Sequence, residues 1–100
     1  MRVISKKTIK EFWELHPNFQ DAKAWLQEWY AEAESSDWKS PEDIKKRYRS
    51  ASFLADNRVV FNVCGNNYRL IVKINYGYGI IYIRFIGTHA DYDKTDAKTI

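Results

Sequence analysis

The chain has 100 residues, which is long enough to bury one hydrophobic core. Because 45% of the residues are hydrophobic, the composition argues against disorder, and we expect a single domain over residues 1–100. Sixteen Lys and Arg against thirteen Asp and Glu leave a net charge of +3, which on its own only weakly favours an anionic partner. One cysteine excludes an intramolecular disulfide, no metal or cofactor pattern is present, and the lack of a signal peptide or long apolar run predicts a cytoplasmic protein with no membrane partner.

The N-terminal residues predict a short edge strand followed by a helix. Residues 2–4 suit the strand, and Ser5 can cap a helix that runs to Leu15. Pro17 ends this helix, because the residue before a proline avoids the helical conformation.

Two more helices are expected before the sheet. Asn18 can cap the first of them, in which apolar residues recur at i, i+3 and i+4 spacing. These residues are Phe19, Ala22, Trp25, Leu26, Trp29, Tyr30 and Ala33. Ser40-Pro41-Glu42-Asp43 is typical of a capping box with proline at the first helical position, and it opens a third helix to about Arg49.

The second half of the chain predicts an antiparallel meander of four strands. They are expected at 51–56, 58–64, 68–75 and 80–87. An α+β domain follows, with two to three N-terminal helices packed on one face of the antiparallel sheet. That apolar face is predicted to consist of Val59, Phe61, Val63, Tyr68, Leu70, Val72, Ile74, Ile81, Ile83 and Phe85.

The opposite face of the sheet is predicted to be cationic. The expected strand pairs are Asn75 with Ile80, Lys73 with Tyr82, Ile71 with Arg84, Arg69 with Ile86, and Asn62 with Arg69. Arg69, Lys73, Tyr82 and Arg84 then share one face. Because residues 57–90 contain no Asp or Glu, we expect an unopposed positive field there.

Three segments are specific enough to compare with known families. They are Met1-Arg2-Val3-Ile4-Ser5, Val60-Phe61-Asn62-Val63-Cys64-Gly65-Asn66-Asn67-Tyr68-Arg69-Leu70 and Tyr82-Ile83-Arg84-Phe85-Ile86-Gly87-Thr88-His89-Ala90-Asp91-Tyr92-Asp93. A Phe-Asn-Val-x-Gly-Asn strand and turn followed at this distance by Thr-His-x-x-Tyr-Asp is hard to attribute to chance. With these segments, nearly from end to end, the chain resembles the HigB family of RelE-like toxins from bacterial toxin–antitoxin pairs.

The resemblance implies a RelE-like fold and a ribosome-dependent mRNA endonuclease. It also implies three kinds of partner: a HigA-like helix-turn-helix antitoxin, mRNA in the ribosomal A site together with rRNA, and operator DNA reached only through the antitoxin. The antitoxin would either mask the cationic face or block entry into the ribosome, and the sequence leaves both open.

Metal-free RNA cleavage requires cations around the scissile phosphate and a group that moves a proton. Arg69, Lys73 and Arg84 are candidates for the first role, since arginine offers a planar fork and lysine a point charge. His89 follows the last strand and is the candidate general acid or base, because imidazole changes its charge near neutral pH. A solvated sheet face and a structural strand-end cap are the competing interpretations of these residues.

Further candidates surround this set. Tyr92 can stack on a base or donate a proton, and Asp93 can orient His89 or an arginine. RNA contacts are also predicted for Asn62, Tyr82, Lys45, Lys46 and Arg49. Asn62 can instead hold the Arg69 guanidinium, and the basic run on the third helix can be solvated surface.

Two other classes of function fit the same pattern. One is a non-catalytic module that binds RNA or the ribosome. The other is an inhibitor of DNA gyrase, as in ParE-like relatives of the same fold.

Overall fold

The structure, a computed structural model that describes residues 1–100, combines four helices with one five-stranded sheet. In chain order the elements are β1 (Arg2–Ile4), α1 (Lys6–Leu15), α2 (Gln20–Ser35), α3 (Pro41–Arg47), β2 (Ser52–Leu54), β3 (Arg58–Val63), β4 (Tyr68–Asn75), β5 (Ile80–Thr88) and α4 (His89–Asp93). The sheet order is β1-β5-β4-β3-β2. The α+β class is confirmed, although β1 runs parallel to β5 and makes the sheet mixed rather than wholly antiparallel. None of the helices has the length and hydropathy that crossing a membrane requires.

The first two helices begin differently from the simple capping scheme. Ser5 precedes α1 as predicted, but it has a left-handed backbone (φ 73°) and makes no side-chain cap. The predicted cap at Asn18 is wrong, because Phe19 occupies the cap position of α2. The Phe19 N–H donates to the carbonyl of His16 at 2.8 Å, and its ring packs 5.0 Å from that of Tyr68, so the turn after α1 extends one residue further.

The third helix is shorter than expected. It follows Ser40, which makes no side-chain cap, and it ends at Arg47 rather than near Arg49. Tyr48 leaves the helix because its ring enters the core and its hydroxyl donates to Glu32 on α2 at 2.8 Å.

The helices cover one face of the sheet. The core between them contains 18 buried residues, including Ile9 of α1, Leu26 and Trp29 of α2, and Ile44 of α3. Each fully buried aliphatic or aromatic side chain of this kind contributes about 1.5–3 kcal/mol to folding. Every residue predicted for the apolar face belongs to this core except Phe85.

The exception arises from a bulge in β5. Ile83 pairs with Val72 as alternation requires. Ile71, which precedes Val72 in the antiparallel strand β4, should then pair with Arg84, but it pairs with Phe85. Arg84 is the extra residue, so the predicted pair of Ile71 with Arg84 is wrong. The predicted pairs before the bulge and in the neighbouring hairpin are confirmed: Asn75 with Ile80, Lys73 with Tyr82, and Asn62 with Arg69.

The bulge exchanges the faces of the two residues that follow it. Ile86 packs against the helix-side core, whereas Phe85 packs on the other face of the sheet. Arg69 consequently lies opposite Gly87 and not opposite Ile86, which corrects the second predicted pair.

The face opposite the helices is partly covered by the C-terminal residues. Val60 and Ile71 are buried there beneath Ala97. Arg58, itself buried, donates from Nε to the Ile100 carbonyl at 3.1 Å. The prediction that this face is cationic is therefore only partly right, because it also carries apolar residues of β3 and β4 that the C-terminal residues cover.

Gly87→Ala is expected to destabilise the protein by about 1–3 kcal/mol. A Cβ at this position would lie 2.7 Å from Cζ of Phe85 and 3.2 Å from Cβ of Asp91, so both the ring and α4 would have to move. Urea unfolding followed by circular dichroism measures the change. Gly77→Ala is the matched control, because its Cβ would meet only Oδ1 of Asn75 at 3.5 Å; equal midpoints for the two variants would contradict the packing described here.

Candidate active site

Four of the sequence-predicted site residues lie on the sheet face opposite the helices. Lys73 pairs with Tyr82, and Cζ of Arg84 lies 5.9 Å from the centroid of the Tyr82 ring. Arg69 is four positions before Lys73 on the same strand, so their side chains share a face and their Cα atoms are about 13 Å apart. The cations therefore occupy two ends of one face rather than a single point.

Arg69 is buried without a carboxylate partner. It is only 8% exposed, and its Nη1 donates to the backbone carbonyls of Asn66 at 3.2 Å and Tyr68 at 3.1 Å, while Nη2 donates to Oδ1 of Asn66. Its Cζ lies 5.6 Å from the centroid of the Tyr92 ring. Neutral acceptors hold the fork in place without cancelling its charge, which leaves the guanidinium available to attract an oxyanion.

His89 and Asp93 form a pair on α4. Nδ1 of His89 lies 3.1 Å from Oδ2 of Asp93, and the His89 side chain is 43% exposed. If the proton on Nδ1 is donated to this carboxylate, Nε2 is the basic nitrogen that remains. No group of three or more His, Cys, Asp or Glu side chains is arranged to hold a metal ion, so His89 is not part of such a cluster.

The cap of α4 is formed by other residues. The Thr88 hydroxyl accepts from the Asp91 N–H at 3.2 Å, and the Asp91 carboxylate accepts from the Thr88 N–H at 3.4 Å. The sequence allowed a structural capping role for His89, but this reciprocal capping box of Thr88 and Asp91 already fills that role. His89 is thus free of any side-chain capping function.

The turn between β3 and β4 links the arginine to the histidine. Asn66 holds the Arg69 side chain, and the neighbouring Asn67 carbonyl accepts from the His89 N–H at 3.0 Å. Sequence reasoning treated the turn only as a hairpin connection and missed Asn66 as a supporting residue. Asn66 lies three residues before Arg69 and directly after Gly65, whose backbone is left-handed (φ 70°). This position in a tight turn is the feature of the sequence that could have indicated its role.

Lys73 is not a free cation. Oδ2 of Asp56 lies 3.0 Å from both Nζ of Lys73 and Nη1 of Arg58. The hydrogen bonds from Lys73 and, to a smaller extent, from Arg58 lower the pKa of Asp56. The stabilisation of the fold by these contacts is therefore present at neutral pH and is lost only as the pH falls through the lowered pKa of Asp56. The predicted unopposed positive field is therefore wrong at this end of the face, because an acid from the preceding turn reaches across the strands.

Comparison with known proteins identifies the family of this chain. Residues 22–95 match the model of the HigB toxin family, described as the RelE-like toxic component of a toxin–antitoxin system. The chain belongs to the HigB toxin family. It is also similar to a protein named mRNA interferase HigB from Escherichia coli O6:H1, with 33% identity over 96 residues that cover 94% of this chain and 90% of that protein. The resemblance noted from the sequence is confirmed, and membership of a HigB family implies an antitoxin partner.

The other residues predicted to bind RNA in this HigB family member lie on both sides of the sheet. Asn62 pairs with Arg69 across the strands, but its side-chain amide donates to the carbonyl of Ser50 at 3.3 Å and does not hold the Arg69 guanidinium. Lys45 donates to a backbone carbonyl at 2.8 Å. Lys46 and Arg49 are exposed and form no ion pair, on or after α3, which packs on the helix side of the sheet. The structure does not bring the basic run of α3 to the site of the arginine and histidine.

Asp56→Asn is expected to strengthen RNA binding by this HigB family member a few-fold, because it frees Lys73 for contact with phosphate. Asparagine tolerates the left-handed backbone of this position (φ 61°), so the turn is preserved. The dependence of log affinity on log salt should steepen by about 0.7 for each phosphate newly contacted. Fluorescence anisotropy of a labelled single-stranded oligoribonucleotide at several salt concentrations measures both quantities.

The control is Asp37→Asn, which breaks the exposed pair with Lys39 at 3.0 Å on the helix side. An unchanged affinity for Asp56→Asn, or an equal increase for the control, would show that Lys73 does not contact RNA.

Proposed function

We propose that this toxin is an endoribonuclease that cuts mRNA in the ribosomal A site without a metal ion. The observation that carries the proposal is the buried, uncompensated Arg69 joined through one turn to the exposed His89–Asp93 pair. The name of the Escherichia coli relative, mRNA interferase HigB, supports the same class of substrate.

The proposed step uses the ribose next to the scissile phosphate as the nucleophile. Nε2 of His89 takes the proton of the 2′-hydroxyl, and the 2′-oxygen attacks phosphorus. The bond from phosphorus to the 5′-oxygen breaks, and that oxygen takes a proton from the hydroxyl of Tyr92. The products are a 2′,3′-cyclic phosphate and a 5′-hydroxyl end, while Arg69 stabilises the charge that develops on the nonbridging oxygens.

An external scaffold is part of the proposal because the site is shallow. Arg84 is exposed, His89 is nearly half exposed, and Lys73 is engaged by Asp56, so few groups remain to hold a flexible RNA strand in a reactive geometry. Alignment of the mRNA by the rRNA of the A site supplies that positioning. The activity then belongs in the cytoplasm, with a HigA-like helix-turn-helix antitoxin as the inhibitor and operator DNA reached only through that antitoxin.

The test is to map the 5′ ends of mRNA after brief expression of the toxin. We expect new ends inside coding regions, in phase with the reading frame, and their loss from a reporter mRNA whose start codon has been removed. Growth arrest with intact mRNA would favour a non-catalytic ribosome-binding module instead. Accumulated DNA breaks with intact mRNA would favour inhibition of DNA gyrase.

A further inference from the structure

The two buried arginines of the chain are held by different kinds of acceptor. Arg58, which is 7% exposed, donates from Nη1 to the Asp56 carboxylate at 3.0 Å. Arg69 is 8% exposed, and all three of its hydrogen bonds go to neutral oxygens, two of which belong to Asn66. Buried arginines are usually paired with an acid, so Arg69 and not Arg58 is the exception.

Asn66 binds one end of the Arg69 guanidinium. Its backbone carbonyl accepts from Nη1 at 3.2 Å, and its side-chain Oδ1 accepts from Nη2. Nη1 also donates to the Tyr68 carbonyl at 3.1 Å. These contacts use three of the five N–H groups of the fork. Because both oxygens of Asn66 meet the end formed by Nη1 and Nη2, the unused groups are the Nε–H and the Nη2–H beside it.

This unused edge of Arg69 is not sealed inside the protein. Nε1 of Trp29 is the one buried side-chain nitrogen or oxygen without a hydrogen-bond partner. Nε of Arg69 has no partner either, so it must be accessible to solvent. Cζ of Arg69 lies 5.6 Å from the centroid of the Tyr92 ring, which places the edge beside the proposed proton donor. Two parallel N–H groups match two nonbridging oxygens of a phosphate.

We propose that Asn66 is a positioning residue of the nuclease, which directs the Nε–Nη2 edge of Arg69 at the scissile phosphate and leaves the charge of the guanidinium uncompensated. The inference rests on the proposed function. An aspartate at this position would hold the fork more tightly, because charge-assisted hydrogen bonds are roughly twice as strong as neutral ones, but it would neutralise the cation. The amide therefore favours charge at the substrate over stability of the fold.

The decisive variant is Asn66→Asp, which exchanges an amide for a carboxylate of the same shape. We expect it to raise the urea midpoint of unfolding and at the same time to lower the rate of cleavage of ribosome-bound mRNA at least about tenfold. Asn66→Ala loses only the Oδ1 contact and should lower both quantities. With a merely structural role for Asn66, activity would follow stability. Wild-type cleavage by the Asn66→Asp protein would therefore overturn the proposal, as would a urea midpoint below that of the wild type.

A binding measurement separates this inference from the proposed function. A single-stranded oligodeoxyribonucleotide lacks the 2′-hydroxyl that the proposed step requires, but it offers the same phosphates. By fluorescence anisotropy, Asn66→Asp should weaken its binding at least about threefold and flatten the slope of log affinity against log salt by about 0.7, the value for one phosphate contact. Gln27→Glu, an amide-to-carboxylate change at an exposed position of α2, is the charge-matched control and should leave the affinity unchanged.

The two measurements fail in different ways. Equal affinities of the Asn66→Asp and wild-type proteins, or an equal loss for Gln27→Glu, would overturn the role of Asn66. Lack of cleavage by the wild-type toxin, with the difference in binding intact, would count against the nuclease activity and leave the role of Asn66 in phosphate binding standing.

Discussion

Replacing His89 with alanine is expected to lower the rate of mRNA cleavage by about 10²–10⁴-fold, the usual contribution of a positioned acid or base. Stability should hardly change, because the partly exposed imidazole hydrogen-bonds only with Asp93, and the helix that begins at His89 is capped by Thr88 and Asp91. Single-turnover cleavage of ribosome-bound mRNA measures the rate, and urea unfolding measures the stability.

Two further variants make this result specific. Asp93→Asn keeps an oxygen near Nδ1 but loses the charge that orients the ring, so it should cost less than removal of the imidazole. His16→Ala removes the only other histidine, which is exposed and stacks on Phe19 at 4.9 Å, and should leave the rate unchanged. Full cleavage by the His89→Ala variant would exclude this residue from proton transfer.

Arg69→Lys is expected to reduce cleavage by about 10²–10³-fold even though it preserves the charge. An ammonium cannot reproduce the planar fork that donates at once to the Asn66 and Tyr68 carbonyls, so its charge would sit elsewhere. The same loss leaves buried acceptors unpaired, and we expect a decrease of about 1–3 kcal/mol in the free energy of unfolding. Both quantities are measured at a temperature at which the variant is fully folded.

Arg84→Lys is the matched control for this substitution. Arg84 is exposed, lies beside the Tyr82 ring and forms no hydrogen bond or ion pair through its side chain, so the same change of cation there should have a much smaller effect on both rate and stability. If the two variants lost activity equally, the buried fork would not be the group that stabilises the developing charge.

The sequence predicted the sheet well wherever side chains alternate without interruption. Strict alternation in β3 and β4 predicted the pair of Asn62 with Arg69, because a slip of one residue would bury charges. The prediction from alternation failed in β5 after Ile83, because the bulge adds one residue to the strand and the residue types there do not indicate it. The one sign of the bulge in the sequence is the consecutive apolar pair Phe85-Ile86, which interrupts the alternation of apolar and polar residues.

The candidate site was predictable to a lesser extent. The spacing of His89 and Asp93 places them on one helical face once α4 is assumed. The support of Arg69 by Asn66 depends on how the side chain folds back over a turn, which residue types alone do not specify. Asp56 was overlooked because it lies just outside the acid-free stretch and reaches Lys73 only through the pairing of β3 with β4.

The bulge in β5 adds one residue to the strand without moving the later residues away from their partners on β4. Deletion of Arg84, the extra residue, would leave a regular strand in which Phe85 still pairs with Ile71 and Ile86 still pairs with Leu70, so the faces of both side chains and the start of α4 would be kept. The deletion would remove only the exposed guanidinium beside the Tyr82 ring. The bulge is therefore a way to insert one more cation at the sheet surface while the hydrophobic core and the position of His89 stay as they are.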